Sequence, residues 1–380
     1  MLSANRKRSV LGTSPLLGSS VVTASAGNTQ VRDARGRIEY IDALRGVAAL
    51  MVVVHHALVR VAPAYEEWTL EWFDPGRVGV VAFFLVSGYV VGMTLSSQTP
   101  RVFVVRRFWR LFPVYWLTTL LYIAVALITG YAPIEASVVV LLVNISMLQG
   151  FLGLASVLPV AWTLGIEIAF YAQSVVTRFA RLLDRGVWLG LLWLAVLAVY
   201  AAANVTGVWD REGSMPLMMF TASVGLALYL WERGRSRALI ALLPSAVIVA
   251  PMLGVLLKMN SGDDRGHVSF SLSYLAGLAL FGVFYAARSR AFPAWMLKMG
   301  AASYALYLIH PVVILASFGS IGMPAVFLLV TVGLSLVGAE VLHRYVEKPT
   351  IEIGRRATRG SSPGRMPVPA SREESAARRE

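Results

Sequence analysis

Cysteine is absent from this 380-residue chain, acidic residues are few, and histidine occurs five times. Without cysteine the chain has no disulfides, no thiolate nucleophile and no cysteine-ligated metal site. The histidines are scattered along the sequence and do not show the spacing of metal ligands. We therefore expect no metal centre and no thiol chemistry.

Apolar residues, in contrast, are abundant. They make up 57% of the chain, and the mean hydropathy is +0.66. Ten apolar runs have about the length that spans a bilayer. They cover residues 42–62, 78–97, 111–130, 160–178, 187–205, 215–231, 238–257, 269–287, 299–318 and 322–342. This pattern predicts an all-α fold, a polytopic membrane helical bundle of about ten transmembrane helices.

One further apolar run, residues 137–154, is short and contains Asn144 and Gln149. A polar backbone or side chain at membrane depth is tolerated where it is buried in protein. We interpret the run as a re-entrant or partly inserted segment. An eleven-span topology is the alternative.

The charge distribution indicates an orientation. The formal net charge is +13, and the basic residues cluster in alternate short loops, as the positive-inside rule requires. From Glu66 to Asp74, the first loop contains acidic residues and no basic one. Both termini are therefore predicted to be cytoplasmic. No loop is long enough for a nucleic-acid module, so the expected partner of these cations is the lipid bilayer rather than DNA or RNA.

Both ends of the chain differ in composition from the middle. Residues 1–37 and 351–380 are rich in small residues and charges, so we expect two disordered cytosolic tails. Residues 38–350 form the predicted transmembrane domain. Arginine greatly outnumbers lysine, which suggests a bacterial genome and hence the bacterial plasma (inner) membrane.

The first span contains three ionisable side chains on one stripe. Eleven residues separate Arg45 from His56, which places them within roughly 20° of each other around a helix and about 16 Å apart along it. Asp42 falls near the same stripe. Because ionisable groups are costly in lipid, the stripe should face a protein-lined cavity. The alternative is an interfacial Asp42–Arg45 anchor pair with His56 as a core histidine.

Later spans add polar groups to the candidate site. Glu167 and Tyr171 share a helix face, and so do Ser303, Tyr307 and His310. Each set either lines a cavity or forms structural hydrogen bonds. We expect the helix that contains Ser303, Tyr307 and His310 to break at Pro311.

Basic residues between the second and third runs are a further candidate. Arg106, Arg107 and Arg110 either clamp phosphates or are ordinary cytoplasmic flanking cations. His343 and Glu347, near the end of the last run, are expected to anchor the final helix.

Six motifs occur in a characteristic order. They are "DALRG" followed by His56, "FFLVSG", "RRFWRLFPVYW", "AWTLGIEIAFY", "SYALYLIHP" and "RYVEKP". Together, from Tyr40 to about Pro349, they resemble the acyltransferase 3 family. The resemblance implies transfer of an acyl group, commonly acetyl from acetyl-CoA, to a hydroxyl of a sugar or other acceptor, with no metal.

The resemblance also implies roles for individual residues. His56 would be the general base, aided by Arg45 and Asp42, either in direct transfer or through an acyl-histidine. Arg45, Arg107 and Arg110 would bind the coenzyme A phosphates. The acceptor or the cavity wall would be formed by Trp162, Glu167, Tyr171, Ser303, Tyr307 and His310.

The chain departs from the family at one position. Many members have an aspartate just before the phenylalanine pair of the second helix, where this chain has Val81. If that acid orients the histidine, Asp74 and Glu167 are the nearest substitutes.

Two other function classes fit the same residues. In a proton-coupled transporter or flippase of an anionic or lipid-linked solute, Arg45 and His56 would form the binding site. A non-enzymatic membrane scaffold is disfavoured by the ionisable stripe. Cleavage of acyl-CoA separates the enzyme from both alternatives.

Overall fold

The computed structural model describes residues 21–25, 28–32, 38–130, 137–208, 213–258, 266–319 and 321–360. The first half of this part contains a short antiparallel hairpin and eight α-helices. Their bounds are β1 Val21–Ser25, β2 Asn28–Arg32, α1 Glu39–Val61, α2 Pro63–Glu71, α3 Pro75–Ser97, α4 Pro100–Thr129, α5 Val138–Ile145, α6 Trp162–Phe179, α7 Leu183–Gly186 and α8 Leu189–Val205.

The second half contains eight more helices. Their bounds are α9 Ser214–Glu232, α10 Leu239–Pro244, α11 Ala250–Lys258, α12 Gly266–Ala286, α13 Ala294–Ala301, α14 Ser303–Ser317, α15 Pro324–Leu342 and α16 Lys348–Ala357. Two π-helical turns, Ser245–Val249 and His343–Glu347, join α10 to α11 and α15 to α16.

The helical membrane bundle predicted from hydropathy is confirmed. Within the described residues, nine helical segments are long and apolar enough to cross a membrane. A tenth is the bent pair α13 and α14, whose axes differ by 72°. Each of the ten overlaps one of the predicted apolar runs, so the protein is a multi-pass membrane protein.

The helix break in the ninth span is not where the sequence placed it. Pro311 lies inside α14, which continues to Ser317, so the predicted break at this proline is wrong. The bend lies instead at Ala302, between α13 and α14. Neighbouring helices pack around α14 on most sides, and this packing supports a proline within a membrane helix.

Within the described residues, the short apolar run before the fourth span does not form a helix long enough to cross a membrane. Its helix α5 has eight residues, which is about 12 Å of helix, so the eleven-span alternative is wrong. Asn144 is buried at its end. Its side chain donates to the carbonyl groups of Val140 and Ala155 and accepts from the backbone of Val157. The asparagine thus ties α5 to the irregular chain that leads into α6.

Helix α3 lies at the centre of the bundle and packs against α1, α9 and α12. Gly88 and Gly225 lie where α3 meets α9. A Cβ atom on Gly88 would overlap the backbone of Ala222, and one on Gly225 would overlap the backbone of Leu85. Small residues allow such direct backbone contact between membrane helices.

Two predicted disordered tails contain regular structure. Strands β1 and β2 pair in antiparallel register, Val21 opposite Arg32, within the segment expected to be disordered. The rest of residues 1–37 lies outside the described residues.

The C-terminal tail also begins later than predicted. Helix α16 extends to Ala357, so residues 351–357 are not disordered. Gly354 is buried against the Trp109 ring of α4. Glu352 accepts from Arg356 one turn later. This packing accounts for order in a segment whose composition suggested none. Residues 361–380 lie outside the described residues.

Candidate active site

The predicted site residues line three adjacent cavities in the part of the chain that the structure describes. The histidine cavity, of about 640 Å³, is lined by His56 and His310 among others. The basic cavity, of about 660 Å³, is lined by several arginines, including Arg106. Between them is the neck cavity, of about 100 Å³, whose lining includes Glu167.

Shared lining residues show the order of the three cavities. Val80 and Tyr307 line both the histidine cavity and the neck cavity. Arg45, Arg107 and Arg110 line both the neck cavity and the basic cavity. The cavities are therefore neighbours in series between the arginines and the histidines, and we call this series the passage. The stripe of α1 contributes to all three.

His56 is hydrogen-bonded to a second histidine. Its Nδ1 atom lies 2.9 Å from Nε2 of His310 in α14. The two ring planes differ by 13°. Nδ1 of His310 lies 3.3 Å from the carbonyl oxygen of Leu306. The structure thus brings together two residues that the sequence assigned to one cavity but not to each other.

A second histidine group lines the same cavity. Nε2 of His55 lies 3.3 Å from Oδ1 of Asp74, and its Nδ1 lies 3.3 Å from the hydroxyl of Tyr65 in α2. Asp74 is the N-cap of α3 and accepts from the backbone N–H of Arg77. Its own N–H donates to Oγ of Ser273 at 2.7 Å. Partial burial and the nearby Asp74 raise the pKa of Tyr65.

The two proposed substitutes for the missing acid do not contact His56. Asp74 pairs with His55, and Glu167 lies one cavity away. Among the described residues, the hydrogen-bond partner of His56 is His310. Val81 is fully buried and packs against the backbone of Gly277 in α12. The α3 position of the missing acid therefore faces α12 and not the histidine cavity.

Glu167 is held inside the neck cavity. Its Oε1 atom accepts from Oγ of Ser87 at 3.2 Å and from the hydroxyl of Tyr171. The guanidinium carbon of Arg107 lies 4.9 Å from the centre of the Tyr171 ring and 5.1 Å from that of Phe103. These contacts position an acid and a cation at the same constriction.

The remaining predicted wall residues divide between two cavities. Tyr307 exchanges a hydrogen bond of 2.9 Å with Thr163. Ser303 lines the neck cavity, and its buried Oγ has no hydrogen-bond partner in the described residues. Trp162 lines the histidine cavity and is 41% exposed. An aromatic face and several hydroxyls are thus available to a bound molecule.

The basic cavity combines charged groups from α1 and α4. Asp42 and Arg45 come from α1, and Arg106, Arg107 and Arg110 from α4. Arg106 also donates to Oγ1 of Thr358 at 2.9 Å. The cavity therefore presents several cations at one end of the passage.

The end of the last helical segment completes the basic cavity. His343 and Glu347, expected as anchors of the final helix, form a 2.7 Å pair and line this cavity. Lys348 and Arg355 of α16 line it too. Arg355 was not predicted because the domain was expected to end at residue 350, and Lys348 was given no role although it lies within the motif "RYVEKP". Their spacing on an amphipathic helix was the available signal.

His55 and Thr163 are two further lining residues without a predicted role. His55 adjoins His56 in sequence, which was the only signal for it. Thr163 follows Trp162 within a quoted motif. Within the described residues, no group of three or more histidine, aspartate or glutamate side chains is placed to hold a metal ion.

Together, these features define a multi-pass membrane protein with adjacent cavities between a group of arginines and a pair of histidines. A family model for an acyltransferase domain, acyltransferase 3, matches residues 38–344. This chain belongs to that family of acyl-transferring enzymes, as the six motifs predicted. Lys348 and Arg355 lie beyond the matched region.

Two relatives extend the comparison. One is a proposed membrane-bound transacylase, BcsY, of Komagataeibacter xylinus, 25% identical over 296 residues, which are 73% of this chain. This chain covers 66% of BcsY, just under two thirds of its length. The other is the exopolysaccharide production protein ExoZ of Rhizobium meliloti (strain 1021), 28% identical over 314 residues. That match covers 77% of this chain and 96% of ExoZ. No solved structure is significantly similar to this chain.

Proposed function

We propose that this protein is a membrane-embedded O-acyltransferase that transfers an acyl group, most simply acetyl, from acyl-CoA to a hydroxyl of a carbohydrate. One observation carries the proposal: the series of cavities that leads from the arginines to His56. A cation-lined opening suits an anionic donor. A histidine chamber at the other end suits base-assisted attack by a hydroxyl.

The basic cavity would bind the phosphates of coenzyme A. Its arginines offer planar, bidentate donors to phosphate oxygens. The predicted ligands are Arg45, Arg107 and Arg110. Lys348 and Arg355 extend the same cationic surface. The pantetheine arm of coenzyme A is linear and narrow, which suits the small neck cavity between the phosphates and the histidines.

The reaction would take place at His56. The imidazole takes the proton of the acceptor hydroxyl as its oxygen attacks the thioester carbonyl. A new C–O bond forms, the C–S bond breaks, and the coenzyme A sulfur leaves as a thiolate that accepts a proton. Such general-base assistance contributes on the order of 10²–10⁴ in rate. An acyl-histidine intermediate would use the same ring.

The acceptor would occupy the histidine cavity. Its lining offers an aromatic face at Trp162 and polar groups at Asp74 and His55, a combination that suits a sugar ring. ExoZ is named for exopolysaccharide production, which supports a glycan-type acceptor here.

The proposed orientation follows the positive-inside rule. The basic cavity opens toward the cytoplasm, where acyl-CoA is available, in a bacterial plasma membrane with both termini inside. Residues 38–350, extended by α16, would form the catalytic domain.

The test uses the full chain in proteoliposomes with [¹⁴C]acetyl-CoA, and with either water or a soluble glucan oligosaccharide as the acceptor. We expect release of coenzyme A and transfer of label to the glucan. His56→Ala should lower both by at least about 10²-fold. His267→Ala, whose residue lies outside all three cavities, is the matched control and should retain activity.

Two results would contradict the proposal. Equal coenzyme A release from the unmodified protein and from His56→Ala would remove the histidine from the reaction. An intact thioester with both acceptors, together with donor-independent movement of an anionic solute across the vesicle, would identify a transporter.

A further inference from the structure

The hydrogen-bond chain that ends at His56 determines where its hydrogen lies. This hydrogen-bond chain has three members: the carbonyl of Leu306, the ring of His310 and the ring of His56. A carbonyl oxygen only accepts hydrogen bonds. Nδ1 of His310, 3.3 Å from that oxygen, must therefore be the nitrogen that carries hydrogen.

The charge of His310 follows from its surroundings. The ring is fully buried, and none of its contacts in the described residues is with a carboxylate. An imidazolium here would be a buried charge without a counter-ion, which is strongly disfavoured. His310 is therefore neutral and carries one hydrogen. Its Nε2 atom then has a lone pair and can only accept.

The next link fixes the tautomer of His56. Since Nε2 of His310 accepts, Nδ1 of His56 must donate across the 2.9 Å contact. The centres of the two imidazole rings are 5.1 Å apart. This value is close to the sum of the 2.9 Å between the two nitrogens and the distances from each nitrogen to the centre of its own ring. Both nitrogens therefore lie near the line between the centres, as an in-plane hydrogen bond requires.

We propose that His310 is the positioning residue of the active site, and that it holds His56 in the tautomer with hydrogen on Nδ1 and a free lone pair on Nε2. Nε2 is then the atom that takes the hydroxyl proton. The effect on rate rests on the proposed function, whereas the tautomer assignment does not. His310 thereby does the work that an orienting acid would do beside a catalytic histidine.

A neutral partner changes the chemistry of the base. A carboxylate would form an ion pair with the imidazolium of His56 after proton uptake, whereas neutral His310 only accepts a hydrogen bond from it. The imidazolium is consequently less stabilised and returns its proton more readily. The departing coenzyme A thiolate is the acceptor of that proton. The hydrogen-bond chain ends at the backbone carbonyl of Leu306, so the proton is not relayed beyond His310.

The first test reads the tautomers directly and needs no substrate. The full-length protein is labelled with ¹⁵N-histidine, reconstituted in lipid and examined by magic-angle-spinning NMR, which separates protonated from unprotonated ring nitrogens. The chain has five histidines, so single replacements assign the signals. We expect hydrogen on Nδ1 and a bare Nε2 in both His56 and His310. Hydrogen on Nε2 of His56 would overturn the proposal.

The same NMR spectrum tests whether His310 determines the tautomer of His56. In His310→Leu, which removes the acceptor, we expect His56 to populate the other tautomer. In His310→Gln, whose side-chain oxygen can accept, His56 should keep hydrogen on Nδ1. A His56 signal that is unchanged in His310→Leu would overturn the role of His310.

The second test measures rate with acetyl-CoA and water or glucan. His310→Leu should lower kcat about 10²-fold with an unchanged KM for acetyl-CoA, and His310→Gln should restore most of it. Equal losses in both variants, or a change confined to KM, would contradict a positioning role. If the tautomers are as expected but even the unmodified protein leaves the thioester intact, the proposed function fails and the tautomer assignment remains.

Discussion

An aspartate should lower stability much more at position 81 than at position 80. Val81 is fully buried against Gly277 of α12, whereas Val80 lines the histidine and neck cavities. Val81→Asp inserts a carboxyl group into the packed contact between α3 and α12. Val80→Asp inserts the same group into a polar cavity. The two variants are a matched pair in composition, helix and membrane depth.

The expected magnitude comes from burial. An aspartate within a membrane span costs about 3 kcal/mol on insertion scales, which is roughly a hundredfold in the folding equilibrium. We expect this loss in Val81→Asp, added to the lost packing against Gly277. Val80→Asp should lose much less, because its carboxyl group remains hydrated.

Thermal unfolding in detergent, followed by intrinsic tryptophan fluorescence, measures the difference. A lower Tm for Val81→Asp than for Val80→Asp is the expected order. The reasoning would be refuted by a fully stable Val81→Asp with increased coenzyme A release. That result would mean that residue 81 can reach His56 and that an acid there assists it.

Three other predictions concern the donor and the packing. Arg107→Met should raise the KM for acetyl-CoA about tenfold with little change in kcat, because one phosphate contact is lost. The control Arg101→Met, at an exposed position of the same helix, should leave the KM unchanged. A lower kcat with constant KM would instead show that Arg107 takes part in the chemical step. Gly354→Leu should push α16 away from Trp109 and weaken acetyl-CoA binding in an equilibrium binding assay, and unchanged affinity would exclude α16 from the donor site. Gly225→Val should prevent the contact between α3 and α9 and lower Tm by several degrees, whereas Gly333→Ala, where a Cβ meets open space, should leave Tm unchanged.

The spans were predictable because lipid imposes one simple requirement, a helix of about twenty apolar residues. Their ends were less so. The third run was predicted to start at residue 111, whereas α4 starts at Pro100. Its first three turns contain Arg106, Arg107 and Arg110 of the basic cavity, which lower local hydropathy. Thr99 accepts from the N–H of Val102 as the N-cap and begins the helix, a signal that hydropathy does not contain.

The site was predictable along single helices and not between them. Helical periodicity placed Arg45 and His56 on one stripe, and both line the passage. The pairing of His56 with His310 joins residues 254 positions apart. It depends on how α1 and α14 pack, and no local pattern encodes that. For the same reason, the orientation of residue 81 toward α12 required the structure.

The size of the neck cavity limits which part of a bound acyl-CoA could cross the membrane. An adenine nucleotide is far larger than the space of about 100 Å³ between the arginines and the histidines. Under the proposed function, coenzyme A would enter and leave through the basic cavity, and only the acyl group attached to its sulfur would reach the histidine cavity. The protein would thus export a two-carbon fragment without exporting the cofactor that delivers it.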